Sequence, residues 1–293
     1  MKIKNNTTIS EVIPFYLNHV KATLKPRTHD FYRQYTGFVA RFVGEHKIKK
    51  IDQHDIDEMI QLKRKENPKI TNATLNKYIT TVQQIYKYAL DKPLELKKLK
   101  ETQKEMQTIS EETVSAILKY LKDNRHDNVN RFYEVFFRIL IDTGIRLNEI
   151  RNLKIHNVDM LVPKIKLEVT KTDRERTVFI TKYTHEILID YIHQHELKSE
   201  FLFPGRFSEK VSEGAVYSKL RSLKKAIGFS ESCSPHAWRH TFGTNWVDSD
   251  SQPHLLQKIM GHSKYETTQR YIHQNEKSQL RHYQNFVEKR GIY

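Results

Sequence analysis

The stretch SPHAWRHTFGT, residues 234–244, sets His236, Arg239 and His240 in the first turns of a helix that Ser234 would cap and Pro235 would start. Residues three or four apart share a helix face, so these side chains can converge on one point. Cations beside a helix N-terminus meet the positive end of the macrodipole, an arrangement that becomes favourable when an anion sits among them. A second arginine, Arg146 in TGIR, follows Gly144, which interrupts an apolar run and marks a helix end that would project the arginine from an anchored base. Lys171 falls near the tip of a hairpin pattern with Arg174 and Arg176 close by, on an element able to reach over a phosphate backbone. Finally, Gly261 and His262 precede Ser263 and Glu266, an S-x-x-E capping box, so a helix starting there carries Arg270 and Tyr271 in its second turn. Taken singly, each residue has an ordinary reading as surface arginine, polar turn, or core or surface tyrosine. Together they are a phenol and a set of cations suited to one anionic centre.

Four helical patterns fill the first ninety or so residues. Val12, Tyr16 and Val20 recur at four-residue spacing after Ser10, with Pro14 obscuring where that helix begins. Phe31, Tyr35, Phe38, Val39 and Phe42 make a stripe after Pro26. A third helix is expected from Asp52, with Ile56, Met59 and Ile60, and a fourth from Thr71, with Leu75, Tyr78, Ile79, Val82, Ile85, Tyr86 and Ala89. The charged, aperiodic DKPLELKKLKETQKEMQ, residues 91–107, reads as a linker. This divides the chain into a helical domain at 1–95, a linker at 96–107 and a second domain at 108–293. The second domain opens helically after Ser110. Ile165, Leu167 and Val169, then Val178 and Ile180, alternate around polar KTDRER as a β-hairpin, and helices return to the C-terminus. The fold class is therefore mainly α, with a small β-hairpin in a mixed α+β second domain.

The chain has 293 residues, Lys+Arg 50 against Asp+Glu 35, a formal charge of +15 and a pI near 9.6. Such an excess favours a polyanionic partner, nucleic acid first, and its larger part falls before residue 108. KIKK (47–50) and KRK (63–65) read equally as DNA contacts or solvated surface. One cysteine, Cys233, allows no intrachain disulfide and disfavours a cysteine zinc site. MKIKNNTTIS lacks an apolar leader and charges interrupt every apolar run, so a soluble cytoplasmic protein without a membrane partner is expected.

Arg146 in TGIR, Lys171 in the hairpin, His236 and Arg239 in H-x-x-R followed by His240, Gly261 with His262, and Tyr271 resemble, in order and spacing, the tyrosine recombinase (phage integrase) family. The resemblance covers nearly the whole chain. It implies a SAM-like core-binding domain ahead of the catalytic domain, and a reaction in which Tyr271 attacks a DNA phosphodiester to form a 3′-phosphotyrosyl bond and release a 5′-hydroxyl. Another strand's 5′-hydroxyl reverses the step, with no cofactor or metal required. A phenol of pKa about 10 is only about one-thousandth ionised at pH 7, a deficit of roughly 4 kcal/mol that cations must reduce. In the roles so implied, Arg146 and Arg239 grip phosphate oxygens, His236 and His262 donate to the phosphate or move the tyrosine proton, and Lys171 protonates the departing oxygen. Glu149 orients a neighbour or is a plain surface carboxylate, and His240 is expected as buried support.

The resemblance also implies double-stranded recombination sites as substrate, a homotetramer on DNA, and an accessory DNA-bending or excision factor as a compatible partner. Leu280, Tyr283, Phe286 and Val287 share a helical face that could pack on a neighbouring copy or on their own domain. Few residues precede the first helix, so no arm-site domain is expected. The size suits an Xer-type resolvase, whereas LLQKIMGH (255–262) and QRYIH (269–273) favour integration or excision of a phage or mobile element. KTDRER lacks the glycines that many relatives carry beside the lysine, and Trp238 stands where leucine is common. A two-metal nuclease would need clustered carboxylates, which Asp142 and Glu149 do not form in sequence. A type IB topoisomerase shares the chemistry without strand exchange, and a non-catalytic DNA binder has no use for Tyr271.

Overall fold

The computed structural model describes residues 3–101, 106–168, 175–194, 199–205, 209–249, 252–262, 264–273, 283–284 and 287. The chain divides into two compact units, Met1–Lys104 and Glu105–Tyr293.

The first unit holds α1 (Ile9–Thr23), α2 (Pro26–Val43), α3 (Gln53–Glu66) and α4 (Asn72–Leu90). Each start has a local cause. Thr8 and Glu11 form a capping box on α1, Pro26 opens α2, Asp52 and Asp55 box α3, and Thr71 accepts from the Thr74 amide to cap α4. Helix α1 runs through Pro14, held by burial of Val12, Ile13 and Tyr16 on either side of it. Val12 and Val20, Phe38 and Val39, Ile56 and Met59, and Leu75, Ile79, Val82 and Ile85 meet in one core. Full burial of each such side chain contributes about 1.5–3 kcal/mol. Residues 94–101 lie along this unit as well. Asn76 exchanges two 2.9 Å hydrogen bonds with the Leu99 backbone, Gln83 donates to the Leu94 carbonyl, and Leu94, Leu96 and Leu99 pack on the core.

The second unit comprises α5 (Glu111–Asp123), α6 (Asn128–Thr143), α7 (Leu147–Arg151), a 3-10 turn at Ile155–Asn157, β1 (Lys164–Leu167), β2 (Arg176–Phe179), α8 (Lys182–Gln194), α9 (Glu213–Ile227), α10 (Pro235–Asp248), α11 (Pro253–Met260) and α12 (Tyr265–His273). The strands pair antiparallel with Ile165 opposite Val178 and Leu167 opposite Arg176. Ile165, Leu167 and Val178 face inward, as their alternation requires. Val169 and the tip residues 171–174 lie outside the described residues. At the centre of the unit is α6, whose Phe136, Phe137, Ile139 and Leu140 are fully buried. Trp238 of α10 stacks on Phe137 at 5.1 Å and 19°, so the core takes up the larger ring by aromatic stacking. A satellite cluster of Val247, Leu256, Met260 and Tyr271 joins α10, α11 and α12. Among the described residues, no helix is long and apolar enough to cross a membrane.

Candidate active site

Helix α6 ends at Gly144, whose φ of 59° puts it in the left-handed region that closes a helix. A Cβ there would meet the Phe242 ring at 2.3 Å, so the turn also admits α10 closely. The chain then re-enters helix at α7, with Arg146 as its N-cap residue. Arg146 donates to Glu149 Oε1 at 3.1 Å and to the Gly261 carbonyl at 2.6 Å, and its amide donates to Glu149 Oε2 at 2.7 Å. Its side chain keeps about a third of its surface exposed, with a relative accessibility of 34%.

Arg239 lies one turn into α10, 6% exposed, and donates to the Gly144 carbonyl at 2.5 Å and the Met260 carbonyl at 2.8 Å. Burial, then the neighbouring Arg146, hold its guanidinium down to about 10, still charged at neutral pH. The turn after α6 and the end of α11 thus meet on one buried cation. Neutral carbonyls satisfy its hydrogen bonds without cancelling its charge.

Tyr271, on α12, is 3% exposed. Its hydroxyl lies 3.0 Å from His240 Nδ1, and its ring is parallel to that of His262, with centroids 6.2 Å apart. Gly243 receives the phenol edge: a Cβ there would lie 2.5 Å from the ring. Burial raises the Tyr271 pKa, against the lowering effect of Arg239 and Arg270. A proton acceptor is therefore needed before the oxygen can act as a nucleophile. Burial, followed by the charges of His236, Arg239 and Arg270, lowers the His240 pKa, so this imidazole stands ready to accept a proton at neutral pH. His262 is held down to about 3 by burial and by Arg239, Arg146 and Arg176. Its Nδ1 meets the Thr268 hydroxyl at 2.7 Å, and Thr268 is fully buried. His262 is therefore a neutral, oriented imidazole across the working pH range.

The structure brings Arg146, Arg239, His262 and Tyr271 into one linked cluster. His236 lies exposed at the start of α10, close enough for its charge to act on His240. Lys171 lies outside the described residues. His240 is half-buried and bonded to the tyrosine hydroxyl, a closer part than the buried support expected of it. Glu149 is buried rather than a surface carboxylate, and orients the Arg146 guanidinium. Sequence reasoning missed the part of Arg176, which binds both oxygens of Glu149, and that of Thr268. Chelating residues do not gather here: among the described residues no three His, Cys, Asp or Glu side chains group as a metal site. Tyr283 of the C-terminal segment is exposed, and Leu280 and Phe286 lie outside the described residues.

Residues 107–278 match the model of the phage integrase family. The chain is 28% identical over 211 residues to the tyrosine recombinase XerA of Saccharolobus solfataricus, covering 71% of this chain and 66% of that protein. It is 24% identical to a probable integrase/recombinase of Acholeplasma phage L2, covering 95% of this chain and 97% of the phage protein. The chain spans about half to two thirds of the length of the first curated relatives it matches, the shares being 66% and 47%. Among solved structures, the fold matches a fragment of the Tn1549 transposon integrase in complex with transposon right end DNA, with a TM-score of 0.77 at 18% identity over 96% of this chain and all of that fragment.

Proposed function

Because the chain belongs to the phage integrase family of tyrosine recombinases, we propose that it is a site-specific DNA recombinase that integrates or excises a phage or mobile element through a 3′-phosphotyrosyl intermediate. One observation carries the reading. Arg146 and Arg176 share a single carboxylate, Glu149, while Arg239 is held by neutral carbonyls and acts on the Tyr271 phenol, so the cluster that contains Tyr271 keeps an excess of two positive charges from these three guanidiniums. The pentacoordinate phosphorus of the transition state carries more negative charge than the diester it forms from. A fixed cationic excess therefore favours the transition state over the ground state.

In this reading Tyr271 attacks phosphorus and His240 accepts its proton. Arg146 and Arg239 bind the non-bridging oxygens, while His262 and His236 donate hydrogen bonds to them. Lys171, carried by the hairpin, protonates the departing 5′-oxygen. The covalent bond stores the cleavage energy, so religation needs no external energy source. The basic first unit, along which residues 94–101 lie, acts as a DNA clamp ahead of a catalytic domain at 108–293. Four copies assemble on two duplexes, with an accessory DNA-bending or excision factor as a further partner, in the cytoplasm. The motifs at 255–262 and 269–273 support the mobile-element role over chromosome-dimer resolution.

The test is strand exchange between two differently marked duplexes carrying the element's ends. Recombinant products that form without ATP and vanish in Tyr271→Phe support the reading. Relaxation of supercoils without exchange would assign a topoisomerase instead. Products only from directly repeated sites on one circle would assign a resolvase.

A further inference from the structure

Arg176 starts β2 and shares Glu149 with Arg146 and the Met260 carbonyl with Arg239. Its Nη1 and Nη2 donate to the two oxygens of Glu149 at 2.9 and 2.8 Å. Its Nε donates to the Ile259 carbonyl at 2.8 Å, and Nη2 makes a longer 3.4 Å contact with the Met260 carbonyl. One planar fork therefore joins the hairpin, α7 and the end of α11. Gly261 is fitted to it. Its φ of 65° suits glycine, and any Cβ would come within 2.8 Å of the guanidinium carbon, which buried neighbours hold in place. Its partners tie Arg176 to the cluster twice over, since Met260 also accepts from Arg239 and Glu149 also accepts from Arg146.

We infer that Arg176 is a positioning residue for the proposed reaction: it neutralises Glu149 and pins the α11 terminus, so that Arg146 and Arg239 present their positive charge to an anion. This rests on the recombinase reading and adds to it a residue that never touches DNA. Without Arg176, a carboxylate with a side chain 5% exposed would draw Arg146 inward as the one remaining charged donor among the described residues. The excess of positive charge that favours the transition state would be halved.

The groups facing Glu149 are Arg176 from β2 and Arg146 at the start of α7, with Arg239 of α10 and His262 after α11 beyond them. Burial pushes the Glu149 carboxyl up, and the two arginines outweigh it and hold the group below the usual range. In the wild type this pairing stabilises the fold above the ordinary carboxylate range, and the contribution is lost as pH falls through the lowered value. In Arg176→Met burial dominates, and protonating Glu149 relieves the cost. The Tm deficit of that variant should therefore narrow between about pH 7.5 and about pH 4.5.

Two measurements test the inference on the full chain: Tm at both pH values, and single-turnover covalent capture on nicked DNA alongside DNA affinity. The expected results for Arg176→Met are a capture rate lower by roughly 10- to 100-fold, little change in affinity, and a Tm deficit that narrows in acid. Arg176→Lys, which keeps the charge, should recover part of the rate. In a Glu149→Gln background, Arg176→Met should cost much less, since no buried carboxylate then remains to balance. The same rate loss in both backgrounds, or a Tm deficit equal at both pH values, overturns the inference. If the wild type forms no covalent adduct, it is the recombinase reading that fails, and the Tm comparison alone decides whether Arg176 balances Glu149.

Discussion

Replacing Thr268 with valine removes one hydroxyl and almost no volume. The hydroxyl lies 2.7 Å from His262 Nδ1, and Thr268 is fully buried, so water has no direct route to replace it. A buried polar group deprived of its partner costs about 1–3 kcal/mol. For a unit the size of Glu105–Tyr293, each kcal/mol lowers Tm by about 2–4 °C, which gives an expected drop of about 2–12 °C. The catalytic effect is separate. The His262 ring lies parallel to the Tyr271 ring, and the Thr268 hydroxyl holds its tilt. Misplacing a reacting group by about 1 Å can cost on the order of 100-fold in rate. Thr268→Val should therefore slow covalent capture on a nicked substrate by roughly 10- to 100-fold with DNA affinity unchanged, while Thr268→Ser, which restores an oxygen, should stay near wild type. Wild-type capture by the valine variant would mean that His262 is positioned by something else, and the role given to Thr268 would be wrong.

Arg239→Lys keeps a charge but loses the fork that spans the Gly144 and Met260 carbonyls, so capture should fall about 100- to 1,000-fold with a smaller loss of DNA affinity, measured on the same substrate. His240→Ala removes the partner of the Tyr271 hydroxyl, and capture should slow by roughly 100-fold. In the wild type, the lowered pKa of His240 keeps its accepting form present at neutral pH and loses it only as pH falls below the usual imidazole value of about 6.5. The capture rate should thus be flat near pH 7 and fall in acid, and His240→Ala should lack that limb. With a formal charge of +15, DNA affinity should drop by about 1,000-fold or more between 50 and 200 mM salt if six or more phosphates are contacted, and a flat gel-shift titration would count against the clamp.

Local chemistry made much of this readable from the chain. The caps at Asp52, Thr71 and Ser110 each rest on a side chain and an amide two or three residues away, and the apolar stripes of α2 and α4 follow from a 3.6-residue period. Gly144 and Gly261 were legible as turns for the same reason. What escaped were contacts made to distant backbone. Arg176 meets Glu149 across 27 positions and Ile259 across 83, and Arg239 meets Gly144 across 95. A carbonyl acceptor leaves no mark in sequence, because every residue has one. Thr268 was hidden in a different way. It looks like any helical threonine until the fold brings His262, six residues earlier, back over it. His240 follows Arg239 directly, and its role depends on how α12 approaches α10. The register of residues 94–101 was equally hidden, since Asn76 and Gln83 bind backbone there and impose no period.

The sharpest check is chemical identification of the attacking atom. The full chain would be incubated with a nicked duplex bearing its recombination site, digested with protease, and the DNA-linked peptide sequenced by mass spectrometry. A single phosphotyrosyl linkage at Tyr271, carrying the 3′ end of the cut strand and absent from Tyr271→Phe, is the expected result. A linkage at another residue, a 5′ attachment, or cleavage without any covalent product would contradict the proposed mechanism.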